Sequence, residues 1–269
     1  LHSTSRRQRQ MCIRDSIYYI VIGRFYDPDQ LGQYTRAEQF KLIFSSNLTA
    51  VVQRVSYPVL SSIQSEPVRL REAYRRVIKL TMIVTFACML GLAAIAKPLI
   101  ILLIGEKWLP AVPFLQIICF SGMLYPLHAI NLNILQVKGR SDLYLKLEII
   151  KKIIAVITIF IGIFWGIECM LWGGVFVSFI SFFLNSYYSA DLIDYSTKNQ
   201  ISDIFPFLII SLIVSFCIWL ISFTEWSYII ILIIQIIVGI GLYWFISEKL
   251  PIQEYQEVRQ LVFSLFKKK

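Results

Sequence analysis

Charge is scarce in this chain of 269 residues: 16% are Asp, Glu, Lys or Arg, where a soluble domain carries about a quarter. Histidine is scarcer still, with His2 and His128 alone, too few for a zinc site. The five cysteines form no CxxC. Cys88, Cys119, Cys169 and Cys217 lie in or beside apolar runs, where a thiol behaves as a small hydrophobe. No GxSxG, Walker loop, HExxH or GxGxxG occurs, and Gly239-Ile240-Gly241 sits inside an apolar run as a helix-packing feature. These absences argue against a metal-dependent or nucleotide-dependent soluble enzyme and against a disulfide scaffold. What is abundant is apolar: 57% of residues are hydrophobic and the mean hydropathy is +0.66. Where such residues come in blocks of about 20, the chain is a polytopic membrane protein.

They do come in such blocks. The pattern predicts an all-α transmembrane helical bundle of about eight spans. The first is short, 16–25. The second, 40–61, is polar. The others are 79–96, 110–136, 148–166, 169–190, 204–222 and 226–247. Pro98 is expected to kink or break the helix around it. The pair Gly162 and Gly166 forms a GxxxG, a spacing that brings helices close.

The net charge of +9 raises nucleic-acid binding as a reading, and the placement of the charges decides against it. Loops 62–79, 137–152, 191–203 and 248–269 hold 16 Lys and Arg, whereas 24–41, 97–109, 167–168 and 223–225 hold 5. The positive-inside rule puts the first set in the cytoplasm. Trp108, Trp165, Trp219 and Trp226 fall near the outer span ends, and Tyr187, Tyr188 and Trp244 near the inner ends, as interfacial belts do. Within 67–80, Leu70, Tyr74 and Val77 share one helical face, while Arg71, Arg75, Arg76 and Lys79 crowd the other. This reads as a helix lying on the cytoplasmic surface against anionic lipid, or as a plain topology anchor. The basic tail 248–269 repeats the pattern.

Polar groups inside a membrane usually face a protein interior or a wet cavity. The second span is richest in them: Asn47, Ala50, Arg54, Tyr57 and Ser61 line one stripe, with Gln53 beside it. Arg54 near mid-span reads as a lumen-facing cation suited to an anionic ligand, or as a structural Arg snorkelling to the interface. In the fourth span Tyr125, His128 and Asn131 share a face. His128 titrates near neutrality, so it either carries a coupling proton or is a hydrogen-bonded packing residue. No residue set suits bond-making catalysis. The longest expected external loop, 24–41, has no histidine and no carboxylate pair, since Asp27-Pro28-Asp29 reads as a turn. No metal or cofactor is required.

Several runs carry a resemblance: LGQYTRAEQF (31–40), SSNLTAVVQRVSYPVLSSIQ (45–64), GLAAIAKPLIILLIGEKWLPAVPFLQI (91–117) and LYPLHAINLNILQVKGRSDLYLKLEIIKK (124–152). Together they resemble the polysaccharide-transporter branch of the multidrug/oligosaccharidyl-lipid/polysaccharide exporter superfamily. The resemblance implies two six-helix lobes around a cavity, sometimes followed by two more helices. This chain then corresponds to the second lobe (17–190), two additional spans (191–247) and a cytoplasmic basic tail (248–269). Residues 1–16 resemble translated adaptor sequence and are set aside as a non-native leader. The implied activity is flipping of undecaprenyl-diphosphate-linked oligosaccharide across the bacterial inner membrane by alternating access, for lipopolysaccharide or exopolysaccharide synthesis. The C-terminus would be cytoplasmic, and the partners lipid-linked oligosaccharide, anionic lipids and other glycan-assembly membrane proteins. Arg54 would attract diphosphate, while Asn47, Gln53 and Asn131 would hydrogen-bond sugar. The alternatives are a multidrug or small-solute exporter of the same superfamily and a membrane glycan polymerase, which would need a catalytic loop.

Overall fold

The computed structural model describes residues 17–249, and among them every regular element is helical. A short helix, α1, covers 17–25. It is followed by α2 (Pro28–Ser62), α3 (Pro67–Ala94), α4 (Ala96–Ile104), α5 (Ala111–Gly122) and α6 (Tyr125–Val137). Then come α7 (Ser141–Trp165), α8 (Ile167–Ile193), α9 (Thr197–Leu220) and α10 (Tyr228–Lys249). The segment 1–16 expected to be a leader, and the expected basic tail from 250 onward, lie outside the described residues.

Among the described residues, five stretches are long and apolar enough to cross a membrane: Pro67–Ala94, Ala111–Val137, Ile167–Ile193, Thr197–Phe223 and Tyr228–Lys249. The three other expected spans fall short for visible reasons. The first is brief, the second is polar, and α7 carries Glu148, Lys151 and Lys152 toward its N-terminal end. The protein is a multi-pass membrane protein.

Two expectations about loops are corrected. The segment 24–41 is helical from Pro28 onward, because Pro28 starts a helix whose next proline is thirty residues away. With 35 residues, α2 runs about 52 Å at 1.5 Å per residue. The segment 67–80 is not a separate surface helix either. It continues unbroken into the span as α3, and its apolar face meets protein: Leu70 and Tyr74 are fully buried, and the Tyr74 ring sits edge-on to Tyr195 at 6.0 Å.

Proline acts as expected elsewhere. The break between α3 and α4 falls at Ile95, three residues before Pro98, whose ring would clash with the carbonyl one turn back in a continuing helix. The fourth span splits at residues 123–124, ahead of Pro126. Gly166 is the hinge from α7 into α8, at a φ of 102° that favours glycine. Gly162 is the close-approach member of that pair: a Cβ there would lie 2.4 Å from the Met170 Cβ.

The helices pack as an interlocked set. α2 lies on α5 and α6, and those two lie on α8, which pairs with α7. On the other side α3 packs along α9, and α10 covers α9 and α4. Tyr74, Phe86, Met82 and Phe207 are among the largest fully enclosed side chains. By contrast α10 buries Ile231 and Gln235 and leaves Ile229, Ile233, Ile236, Ile237 and Ile240 exposed, a surface suited to lipid tails.

Candidate functional site

α2 positions the polar stripe read from the sequence, and it has two very different faces. Seven residues apart, Asn47 and Arg54 return to the same side of the helix, about 10 Å apart along its axis. Both are exposed. Arg54 has no ion-pair partner among the described residues, so its guanidinium is available rather than neutralised by an acid. Pro58 lacks the N–H that would bond the Arg54 carbonyl, which leaves a backbone acceptor beside that cation. Asn47 Nδ2 donates to its own Ile43 carbonyl at 2.7 Å, so its amide oxygen faces outward. Gln53 is half-buried on the flank. Between them lie Val51 and Val55, exposed at 57% and 62%. The exposed face is thus a cation and an amide set in apolar surface.

Asn131 does not join this face. It is fully buried, its oxygen accepting from the Tyr74 hydroxyl and from Ser189 Oγ at 3.3 Å. Asn185 lies one turn before Ser189 on α8, and Gln200 of α9 lies beside the Tyr74 hydroxyl. The result is a polar seam locking α3, α6, α8 and α9. Tyr74 had been read as an apolar face residue, and its hydroxyl is what draws Asn131 inward.

The basic residues of α3 also find protein partners. Arg71 Nη1 lies 2.9 Å from Asp194 Oδ2. Arg75 Nη2 donates to Asp203 Oδ1 at 2.6 Å, Lys79 Nζ is 3.6 Å from the same carboxylate, and the Tyr195 hydroxyl donates to its other oxygen at 2.6 Å. Arg76 is exposed. Three of the four cations expected to meet lipid therefore clamp α3 to the end of α8 and the start of α9. In the sequence these partners stand more than 120 residues away, so no local pattern announced them.

His128 is half-buried, and its Nε2 is 3.1 Å from Ser178 Oγ. That hydroxyl also donates to the Ser121 carbonyl at 3.2 Å, so His128 is held in a hydrogen-bonded chain between α6, α8 and α5. The sequence reading missed two residues nearby. Glu38 and Lys41, placed in the supposed external loop, form a buried ion pair at 2.5 Å with side chains 1% and 5% exposed. Their three-residue spacing was visible; their burial under α5, α6 and α8 was not.

Comparison with known proteins gives this arrangement a context. The family described as "Polysaccharide biosynthesis protein" matches residues 10–113. The teichuronic acid biosynthesis protein TuaB of Bacillus subtilis is 29% identical over 72% of this chain and 41% of its own length. The lipopolysaccharide biosynthesis protein WzxC of Escherichia coli is 27% identical over 53% of this chain and 29% of its own. The chain is thus similar in sequence to proteins of polysaccharide biosynthesis. Among solved structures, the lipid II flippase MurJ in an inward closed conformation superposes with a TM-score of 0.71 at 20% identity, covering 87% of this chain and 50% of that one. That likeness shows the fold: an all-α membrane bundle of the same architecture as part of a flippase. The chain spans well under half the length of the curated relatives it matches. Their names are those of polysaccharide biosynthesis and transport proteins, and none is that of a catalysed reaction.

Proposed function

We propose that this chain moves undecaprenyl-diphosphate-linked oligosaccharide across the bacterial inner membrane, acting as the second lobe of a two-lobed flippase. In this reading residues 17–190 form the lobe, 191–247 add two spans, and the C-terminus is cytoplasmic. The observation that carries it is the outward face of α2. An unpaired Arg54 with an open carbonyl and the Asn47 amide suits a ligand with an anionic, hydrogen-bonding head and an apolar tail, since Val51 and Val55 flank the polar groups. A guanidinium is well matched to phosphate oxygens because its donors form a planar fork. The family match over 10–113 and the flippase-like fold support the same direction. A fully buried Asn131 fits structural support better than sugar contact, so the proposed ligand set narrows to Arg54, Asn47 and Gln53.

The test restores the full-length gene in a strain deleted for its flippase and scores surface polysaccharide. Restored polysaccharide is expected. A correctly inserted protein that restores none overturns the reading, and a change in toxin sensitivity without surface glycan points to a small-solute exporter instead.

A further inference from the structure

Glu38 and Lys41 open onto a small cavity of about 40 Å³, bounded by α1, α2, α5, α6, α7 and α8. At about 10–15 Å³ of such space per water, it has room for about three or four. Its walls carry Tyr18, Tyr34, Ser121, Tyr125 and Ser178. A glycine in its wall keeps it open: a Cβ on Gly174 would lie 3.0 Å from the Tyr18 hydroxyl oxygen.

The pair itself is asymmetric. Lys41 Nζ bonds Glu38 Oε1 at 2.5 Å and sits 5.2 Å from the centre of the Tyr125 ring, so the ammonium has two partners. Glu38 Oε2 is buried and has no hydrogen-bond partner among the described residues. A buried carboxylate oxygen left unpaired is costly, and two things relieve it: a water in the cavity or a proton.

We propose that Glu38 is a proton-binding site of this membrane domain, with Oε2 as the accepting atom and the cavity as its route to water. Proton uptake forms an O–H bond on Oε2 and turns the carboxylate into the neutral acid. Lys41 remains an ammonium, its bond to Oε1 weakened and its contact with the Tyr125 face retained. The pair passes from neutral to singly positive, and the proton is delivered by a hydronium relayed through cavity water, which is left as neutral water. The titratable groups facing Glu38 are Tyr18 from α1, Tyr34 and Lys41 from α2, Cys119 from α5, and Tyr125 from α6. His128 reaches the same wall through Ser178. The residues lining it from α7 and α8, namely Ala155, Leu171, Gly174, Val177 and Ser178, carry no charge. Lys41 is thus the charge that tunes the site. This inference stands apart from the flippase reading, because its readout is protonation and not export.

The test uses the full chain in lipid vesicles, with infrared difference spectra recorded as pH is lowered. A protonated carboxyl C=O band is expected in the native chain. Glu38→Gln should abolish it, Glu38→Asp should shift its frequency, and Lys41→Met should raise the proton affinity read from it at least about tenfold by removing the neighbouring positive charge. A native chain with no such band, or a band unchanged in Glu38→Gln, overturns the proposal. Should Glu38→Gln fail to fold by circular dichroism, an unshifted band in Glu38→Asp overturns it equally.

Discussion

The two faces of α2 divide the protein's chemistry. Toward α5, α6 and α8 the helix presents Glu38, Lys41, Ser45, Thr49 and Ser56, with Asn133 Nδ2 donating to Ser56 Oγ at 3.3 Å. Away from them it presents Ile43, Phe44, Val51, Val55 and Val59, with Asn47 and Arg54 among them. A water-soluble helix would do the reverse. In a bilayer the lipid tails are as apolar as any core, so apolar burial does not decide which side faces inward. Small residues and hydrogen bonds hold such helices together instead. The inward face is therefore read as structure and proton chemistry, and the outward face as ligand contact.

The largest expected effect breaks the inward face. Glu38→Leu or Lys41→Met alone leaves an uncompensated buried charge and should destabilise the fold by about 3–5 kcal/mol each. The double variant should lose much less. Reversible unfolding in mixed micelles gives the double-mutant cycle, and strictly additive losses would show that the pair is not a unit.

A smaller effect is expected at the clamp between α3 and α9. Asp203→Asn removes the charge shared by Arg75 and Lys79. Arg75 is half exposed, so the loss should be about 1 kcal/mol, read as faster proteolysis at the turn around Asp194. An unchanged rate would mean that Tyr74 and Phe207 packing alone seats α9.

The outward face should behave oppositely. Arg54→Ala should leave stability within about 0.5 kcal/mol while polysaccharide export falls sharply, and Arg54→Lys should keep part of it. Export unchanged in the Ala variant would strike Arg54 from the ligand set.

The smallest effect lies at the α6–α7 turn, far from both faces. The hydrogen bond from Arg140 holds the Asp142 carboxyl down at about 2. A depressed carboxyl contributes above its ordinary pKa of about 3.9, and that contribution is lost as pH falls to about 2. Both side chains are exposed, so only a slight drop in the unfolding midpoint is expected across that window. Asp142→Asn should flatten it.

Legibility in the sequence followed the range of the interaction. The apolar blocks and the interruption ahead of Pro98 were readable, because each depends on neighbours within a few turns. The helical run through 28–41 was not: Asp27-Pro28-Asp29 looks like a turn, and the polar residues after it looked like a loop. Lys41 was accordingly counted as an external loop charge, and its burial makes the inner-to-outer asymmetry steeper.

By itself, then, the sequence determined an all-α membrane protein, its helix breaks and a cation on one helix face, since hydropathy and proline chemistry act locally. Tertiary structure decided which polar groups are sealed and which remain available. Asn131 and Arg54 look alike as intramembrane polar residues. One meets Tyr74 and Ser189 from distant helices, and the other has no ion-pair partner among the described residues. The same long-range packing turns Arg71, Arg75 and Lys79 from a lipid-facing patch into a clamp, and sets Glu38 with one bare oxygen against a cavity.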